Sequence, residues 1–145
     1  MGSSVSRLTE LVFILRTWFI EEGVTEVTTP ILIDYPTVEP TISNLKIESN
    51  EKYLRTSSEF ALKKILIEKN IDVFEIGHVF RADEHGSMNL TEFRMLEWYR
   101  RNKSYKELMG EIERLLQMIG IGEKVLYKSY QSVFKDNFDV YPHQA

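Results

Sequence analysis

The sequence predicts a mixed α/β domain of the α+β kind, in which an antiparallel sheet is flanked by helices. Two strand-like runs, at 73–81 and 93–100, are separated by a polar loop of about ten residues, a spacing typical of paired strands. Apolar residues recur at helical spacing both before and after this pair. With 145 residues and 43% hydrophobic content, the chain is expected to form one domain, 1–145, with a substantial core.

The first element is a predicted amphipathic helix at about 6–22. Its apolar residues are Leu8, Leu11, Val12, Leu15, Trp18 and Phe19, and Gly23 follows at the expected end. A predicted strand at 24–29 then runs into Pro30. A helix, a glycine, a strand and a proline in this order also occur in many α/β cores, so the pattern alone does not assign a role.

A helix is predicted at 59–69, after an irregular segment at 34–50 that is rich in Pro, Ser, Thr and Asn. Ser57 or Ser58 can cap its start. Leu62, Ile65 and Leu66 are spaced to face a core. A capped amphipathic helix is therefore the simplest interpretation of this segment.

The strand at 73–81 ends at Arg81. A guanidinium is planar, permanently charged and able to bond two oxygens at once, so it suits a phosphate group that must be held against an attacking carboxylate. Placing the arginine on a strand would fix its position against the reacting phosphorus. The alternative is a surface ion pair that closes the hairpin, with Asp83 or Glu84 as the partner.

The returning strand at 93–100 alternates between two faces. Phe93, Met95, Glu97 and Tyr99 share one face, while Arg94, Leu96, Trp98 and Arg100 share the other. A glutamate among large apolar residues is costly to bury unless a cation meets it. The sequence leaves two partners open for Glu97, namely a lysine ammonium from a substrate or an arginine of the sheet.

The C-terminal part is predicted to be helical at 104–119 and again at 123–138. Ser104 and Glu107 form a capping box for the first of these helices. The basic run at 100–103 is expected to be a solvated turn.

Composition excludes several classes of site and location. The absence of cysteine excludes disulfides and thiolate metal sites. His78, His85 and His143 lack metal-ligand spacing, so no metal ligand is assigned. A net charge of −4 argues against a broad nucleic-acid-binding face. No apolar run is long enough to cross a membrane, so a cytoplasmic protein is expected.

The segment 73–100 resembles motif 2 of class II aminoacyl-tRNA synthetases, through Arg81, the polar loop, Glu92 and Phe93. The segment 6–32 is similar to motif 1 of the same family. The runs 54–66 and 96–100 most resemble its lysyl type, which comprises lysyl-tRNA synthetases and the elongation factor P lysine ligase. This resemblance implies a partial class II catalytic domain, because nothing like motif 3 is present.

The resemblance implies a role for several polar residues. Arg81 would bind the α-phosphate of ATP as the catalytic residue, and Asp83, Asn89 and Phe93 would contact the nucleotide. Mg²⁺ would accompany ATP. Asp83 and Asn89 depart from the residues usual in lysyl-type loops, and Leu90-Thr91 replaces a usual Asn-Pro, as in asparaginyl or aspartyl enzymes.

The same resemblance implies an amino-acid site and a dimer. Glu59 would bind the α-amino group of the substrate, and Glu97 and Tyr99 its side-chain amine. Pro30 would lie at a homodimer interface.

Three functions stay open at this stage. In the first, the chain is an ATP-dependent ligase that activates lysine or a similar amine for transfer to tRNA or to a lysine of elongation factor P. In the second, it is half of a split enzyme that needs a motif 3 partner. In the third, it is a noncatalytic binding or dimerisation module.

Overall fold

The computed structural model describes residues 4–82, 86–87, 89–121 and 125–142. Contacts divide the chain into two compact units, Met1–Ser104 and Tyr105–Ala145. The first unit contains, in order, α1 (Ser4–Glu21), β1 (Thr25–Glu26), β2 (Leu32–Ile33), β3 (Lys46–Ile47), β4 (Lys52–Leu54), α2 (Glu59–Lys69), β5 (Val73–Phe80) and β6 (Glu92–Tyr99). The second contains α3 (Tyr105–Met118) and α4 (Tyr130–Phe138).

The main sheet has the strand order β1-β5-β6. β5 and β6 form the predicted antiparallel pair, in register from Val73 opposite Tyr99 to Phe80 opposite Glu92. β1 adds to this pair in parallel with β5, so the sheet is mixed, and the α+β class predicted from the sequence is confirmed. β1 is also shorter than the predicted strand at 24–29, because only two of its residues pair with β5.

Helix α1 is confirmed close to its predicted bounds and packs its buried face on the sheet. The helix ends as expected at Gly23, which has a φ of +74°. The N–H of Gly23 donates to the carbonyl of Ile20, and that of Val24 to Phe19, which is the paired pattern of a Schellman cap. Phe19 is fully buried and stacks on Phe74 with ring centroids 4.9 Å apart.

A second, smaller sheet was not predicted. Its strands have the order β2-β4-β3, with β4 antiparallel to both neighbours. Each strand is two or three residues long, too short to produce a readable alternation of polar and apolar residues. The segment predicted to be irregular at 34–50 includes β3, and its Ser43 forms an isolated bridge with Ala82.

The expectation that residues 100–103 form a solvated turn is wrong for Arg100. Its side chain is only 7% exposed and lies 3.5 Å from the carboxylate of Asp72. Arg101 donates to the same carboxylate through its backbone N–H and its Nε, both at 3.0 Å. Burial acts to raise the pKa of Asp72, but the hydrogen bonds and charge of Arg101, with a further bond from Arg100, outweigh it and lower that pKa.

In the second unit, α3 matches its prediction within one residue at each end, but α4 does not. The predicted helix at 123–138 begins only at Tyr130. Ser129 has an extended backbone and its side chain accepts the N–H of Ser132, so the chain enters the helix at this cap. Along α4, the ring of Phe134 contacts the rings of Tyr130 and Phe138.

None of the helices in the described residues is both long enough and apolar enough to span a membrane.

Candidate active site

A cavity of about 430 Å³ in the first unit is lined by three of the predicted site residues, Arg81, Glu59 and Glu97. Residues from the segment at 37–42, from the start of α2 and the residues before it, from the position after β5 and from β6 form its wall. The lining includes the carboxylates of Glu39, Glu59 and Glu97 and the guanidinium of Arg81. The cavity therefore combines an anionic wall with a single arginine among the described lining residues, which suits a ligand that carries both an ammonium and a negative group.

The alternation predicted for β6 is confirmed and explains how the strand serves two purposes. Met95 and Glu97 line the cavity on one face. On the opposite face Trp98 packs against Phe19, with ring centroids 5.3 Å apart. The apolar face anchors the strand on α1 and leaves Glu97 fixed at the cavity.

Glu97 accepts hydrogen bonds from two consecutive serines. Ser57 Oγ lies 2.8 Å from Oε1, and the N and Oγ of Ser58 lie 2.6 Å and 2.7 Å from Oε2. Among the described contacts of Glu97 there is no arginine, so a structural arginine partner for this residue is the wrong alternative. The carboxylate is instead held at the N-terminus of α2, where free N–H groups and the helix dipole favour negative charge.

The predicted helix α2 is confirmed at 59–69, and the two serines expected as possible caps both act at its start. Ser58 occupies the N-cap position without a side-chain capping bond. Its hydroxyl is directed to Glu97. Ser57 Oγ accepts the N–H of Glu59 at 3.0 Å and so satisfies a donor of the first turn.

Arg81 directly follows β5 and is anchored by the hairpin. Its backbone N–H donates to the carbonyl of Thr91 at 2.9 Å. Its Cζ lies 5.4 Å from the centre of the Phe93 ring, which brings these two predicted nucleotide-binding residues together. The Arg81 Nε is buried and has no hydrogen-bond partner in the described part of the chain. A buried N–H without an acceptor destabilises the folded state unless a ligand accepts its hydrogen bond.

Glu59 also faces the cavity, and its carboxylate is paired with Lys63 one turn along α2. The side chains of Glu59 and Lys63 are 37% and 49% exposed. An exposed pair at this spacing contributes only about 0.3–0.5 kcal/mol. A substrate ammonium could therefore share or replace the lysine at little cost.

Tyr99 lies beside the cavity but is not among its lining residues in the described structure. The Nζ of Lys63 is 5.6 Å from the centre of its ring. Burial, followed by the negative charges of Glu97 and Glu59, raises the pKa of Tyr99 from 10.0 to about 12. The phenol is therefore neutral over the working range of pH.

This raised pKa gives a pH-dependent prediction. Because the folded state holds the Tyr99 proton more tightly than the unfolded chain, the resulting stability is present below pH 10 and is lost as the pH rises toward about 12. The difference between the spectrophotometric titration curves of the wild type and Tyr99→Phe should show one tyrosine with a pKa near 12. Glu97→Gln should lower that pKa. A Tyr99 titration near 10 would contradict the described geometry.

The remaining predicted site residues do not meet at this cavity. Asp83 lies outside the described residues, as does Glu84, the other alternative partner of Arg81. Asn89 is exposed, and its N–H donates to the carbonyl of Gly86 at 3.2 Å. Pro30 is exposed and lines a separate cavity of about 70 Å³. Within the described ranges, no group of three His, Asp or Glu residues is placed to hold a metal ion.

A buried charge network that was not predicted from the sequence supports the cavity. Arg55 forms an ion pair with Glu75 at 2.8 Å, and their side chains are 2% and 5% exposed. Arg55 also donates to Thr29 Oγ1 and to the carbonyls of Thr29 and His78. Glu75 accepts in addition from the N–H and hydroxyl of Thr29. The network joins the segment before Pro30 to β5 and to the residues that lead into Ser57.

One signal in the sequence pointed to this network. Glu75 is a lone carboxylate in an apolar strand, and a carboxylate buried there is costly unless a cation pairs with it. Its partners are 20 and 46 residues distant along the chain, so the sequence alone did not identify them.

The family model for class II tRNA synthetases (D, K and N) matches residues 3–144 of the chain. The chain is 35% identical over 130 residues to an "Elongation factor P--(R)-beta-lysine ligase homolog" of Aquifex aeolicus, covering 86% of this chain and 44% of that protein. It is 35% identical over 139 residues to the "Elongation factor P--(R)-beta-lysine ligase" of Actinobacillus succinogenes, covering 90% of this chain and 43% of that protein. The chain thus spans less than half the length of these relatives.

Proposed function

The chain belongs to the class II tRNA synthetases of the D, K and N group, and on that basis we propose that its cavity serves the ATP-dependent activation of lysine or a lysine-like amino acid. The observation that carries this proposal is the cavity wall, where Glu59 and Glu97 lie with Arg81. The carboxylates match the two ammonium groups of such a substrate. The names of the relatives, which specify (R)-beta-lysine, support the same substrate class.

In the proposed reaction, a carboxylate oxygen of the amino acid attacks the α-phosphorus of ATP. An acyl-phosphate bond forms, the bond to the β-phosphate oxygen breaks, and pyrophosphate leaves. Arg81 would neutralise the substrate carboxylate and the α-phosphate, which must approach each other. Its buried Nε–H would donate a hydrogen bond to them. Phe93, held beside Arg81, offers an aromatic face to the adenine. None of the described residues is assigned to the Mg²⁺ that accompanies ATP.

Glu59 and Glu97 would divide the two ammonium groups of the substrate. Glu97 is fixed by its serine donors, whereas among the described residues Glu59 is paired with Lys63 alone, on the surface of α2. We assign the side-chain amine to Glu97, because selection by length needs a carboxylate that does not move. The α-amino group then falls to Glu59, with Tyr99 as a neutral neighbour of both carboxylates.

The proposed acceptor is a protein lysine, as in elongation factor P, rather than tRNA. The names of the relatives support this acceptor. The net charge of −4 also favours it, because tRNA binding normally requires a surplus of Lys and Arg that releases counterions.

The test of this function is ATP–pyrophosphate exchange with Mg²⁺, comparing lysine and β-lysine with asparagine and aspartate. Exchange should depend on lysine or β-lysine, because the anionic wall repels a side-chain carboxylate and leaves Glu97 without a cation when the ligand is an amide. Exchange that is supported by aspartate or asparagine and not by either amine would refute the assignment.

A homodimer is proposed as well, on the basis of α1. Val5, Leu8, Phe13 and Ile20 on this helix are 48–72% exposed, and large apolar side chains exposed together mark an interaction surface. Pro30 is exposed in the same unit. Sedimentation equilibrium should give the mass of two chains, and Phe13→Glu should give the mass of one.

A further inference from the structure

The direction of each hydrogen bond around Glu97 follows from the chemistry of the groups. A backbone N–H can only donate, so Ser57 Oγ accepts from Glu59 and its single proton goes to Oε1 of Glu97. The N–H and the hydroxyl of Ser58 both donate to Oε2. Glu97 therefore terminates a one-way chain of donors that runs from the first turn of α2, and bonds in such a chain reinforce one another.

The two oxygens of Glu97 differ in the capacity that remains. A carboxylate oxygen accepts about two hydrogen bonds. Oε2 has both of its bonds from Ser58, whereas Oε1 has one from Ser57. Oε1 is thus the oxygen with room for a further donor, and Glu97 lines the cavity.

Ser58 fixes this asymmetry. The residue is 5% exposed and supplies two of the three donors. Its carbonyl also accepts the first backbone bond of α2, from Leu62 at 2.9 Å. The position of the carboxylate is thereby tied to a helix whose Leu62 is fully buried.

We propose that Ser58 is a specificity-determining positioning residue, which occupies Oε2 of Glu97 and so leaves Oε1 as the oxygen that receives a substrate's side-chain ammonium. This inference rests on the proposed function, since it takes an amine as the ligand of the cavity. It adds that selection of the amine depends on Ser58, which acts through Glu97. Without the Ser58 hydroxyl, the carboxylate gains a second rotamer and a second free lone pair, and its fit to one chain length weakens.

The test compares lysine with norleucine, which has the same shape without the ammonium, by calorimetry on Ser58→Ala. The variant keeps the N–H and removes the hydroxyl. We expect about a tenfold loss of lysine affinity and less than about a twofold change for norleucine, since a hydrogen bond to a charged group is worth about that factor. Ser43→Ala is the matched control, because Ser43 contacts Ala82 through its carbonyl, and both affinities should stay unchanged.

A double-mutant cycle separates positioning from a general structural effect. If Ser58 acts through Glu97, Ser58→Ala should change lysine affinity by less than about twofold when Glu97→Gln is already present. An equal loss for lysine and norleucine, or the full loss in the Glu97→Gln background, would overturn the inference and leave the proposed function intact.

If the wild type does not prefer lysine, the proposed function is refuted. The role of Ser58 can then still be tested without a ligand, through the pKa of Tyr99. The charge of Glu97 contributes to the pKa of Tyr99, which is about 12 in the wild type. In Ser58→Ala the Glu97 carboxylate is held by fewer donors, so the pKa of Tyr99 should change. Ser57→Ala, at a less buried position, makes the same test if Ser58→Ala does not fold. A Tyr99 titration unchanged in both folded variants would overturn the inference.

Discussion

Gly77→Ala is expected to lower the free energy of unfolding by about 3–5 kcal/mol, the usual cost of breaking a buried ion pair. A Cβ at Gly77 would overlap Nη2 of Arg55 and lie 2.7 Å from Oε1 of Glu75. The guanidinium has no simple way to yield, because Glu75, Thr29 and the carbonyl of His78 hold it in place. Urea denaturation followed by circular dichroism measures the change.

Gly110→Ala is the matched control for this prediction. A Cβ at Gly110 would meet nothing within 4 Å, and alanine is favoured over glycine inside a helix by about 1 kcal/mol. This substitution in α3 should therefore be neutral or stabilising. If Gly77→Ala were as stable as the wild type, the arginine would have room elsewhere and the network would not be the rigid support described.

The second large effect is expected for Arg81→Ala, which should lower the rate of ATP–pyrophosphate exchange by about 10²–10³-fold, the usual loss when a preorganised donor to a developing anion is removed. Arg81→Lys should fall between the alanine variant and the wild type, since it keeps the charge but loses the bidentate geometry. ATP binding, measured by calorimetry, should weaken in the same order.

Arg94→Ala is the control for Arg81. Arg94 is an exposed arginine on β6 that does not line the cavity, so its loss should leave exchange within about twofold of the wild type. Equal losses in both variants would point to a general effect of positive charge on ATP binding. Exchange unaffected by Arg81→Ala would remove this residue from the proposed chemistry.

The sequence predicted the long elements well because each has a strong local signal. α1, α2 and α3 carry a helical repeat with a recognisable start or stop. β5 is a mainly apolar run, β6 alternates between two faces, and a polar segment of the sequence separates them. Four of the predicted site residues also lie at or beside one cavity, because their places at the end of a strand, on a strand face or at a helix start fix the positions of their side chains. Arg81, Glu59 and Glu97 meet at one cavity, and Phe93 lies beside Arg81.

What the sequence did not predict depends on contacts between distant segments. The short strands β2, β3 and β4 form only through mutual pairing. The partners of Glu97 are serines about 40 residues earlier, and a hydroxyl is a weaker signal than the arginine that the burial of a carboxylate first suggests. The start of α4 could have been predicted from the sequence, because serine is common at N-cap positions and Ser129 is the N-cap.

The central claim is that Glu97 selects a side-chain amine, and the most direct measurement is calorimetric binding of lysine and norleucine to the wild type and to Glu97→Gln. The wild type should bind lysine at least about tenfold more tightly, since a buried charge-assisted bond is worth about 1.5–3 kcal/mol. Glu97→Gln should remove most of that preference, while Glu92→Gln, an exposed carboxylate of β6 that pairs with His78, should retain it. Equal affinity for lysine and norleucine in the wild type, or a preference that survives Glu97→Gln, would contradict the claim.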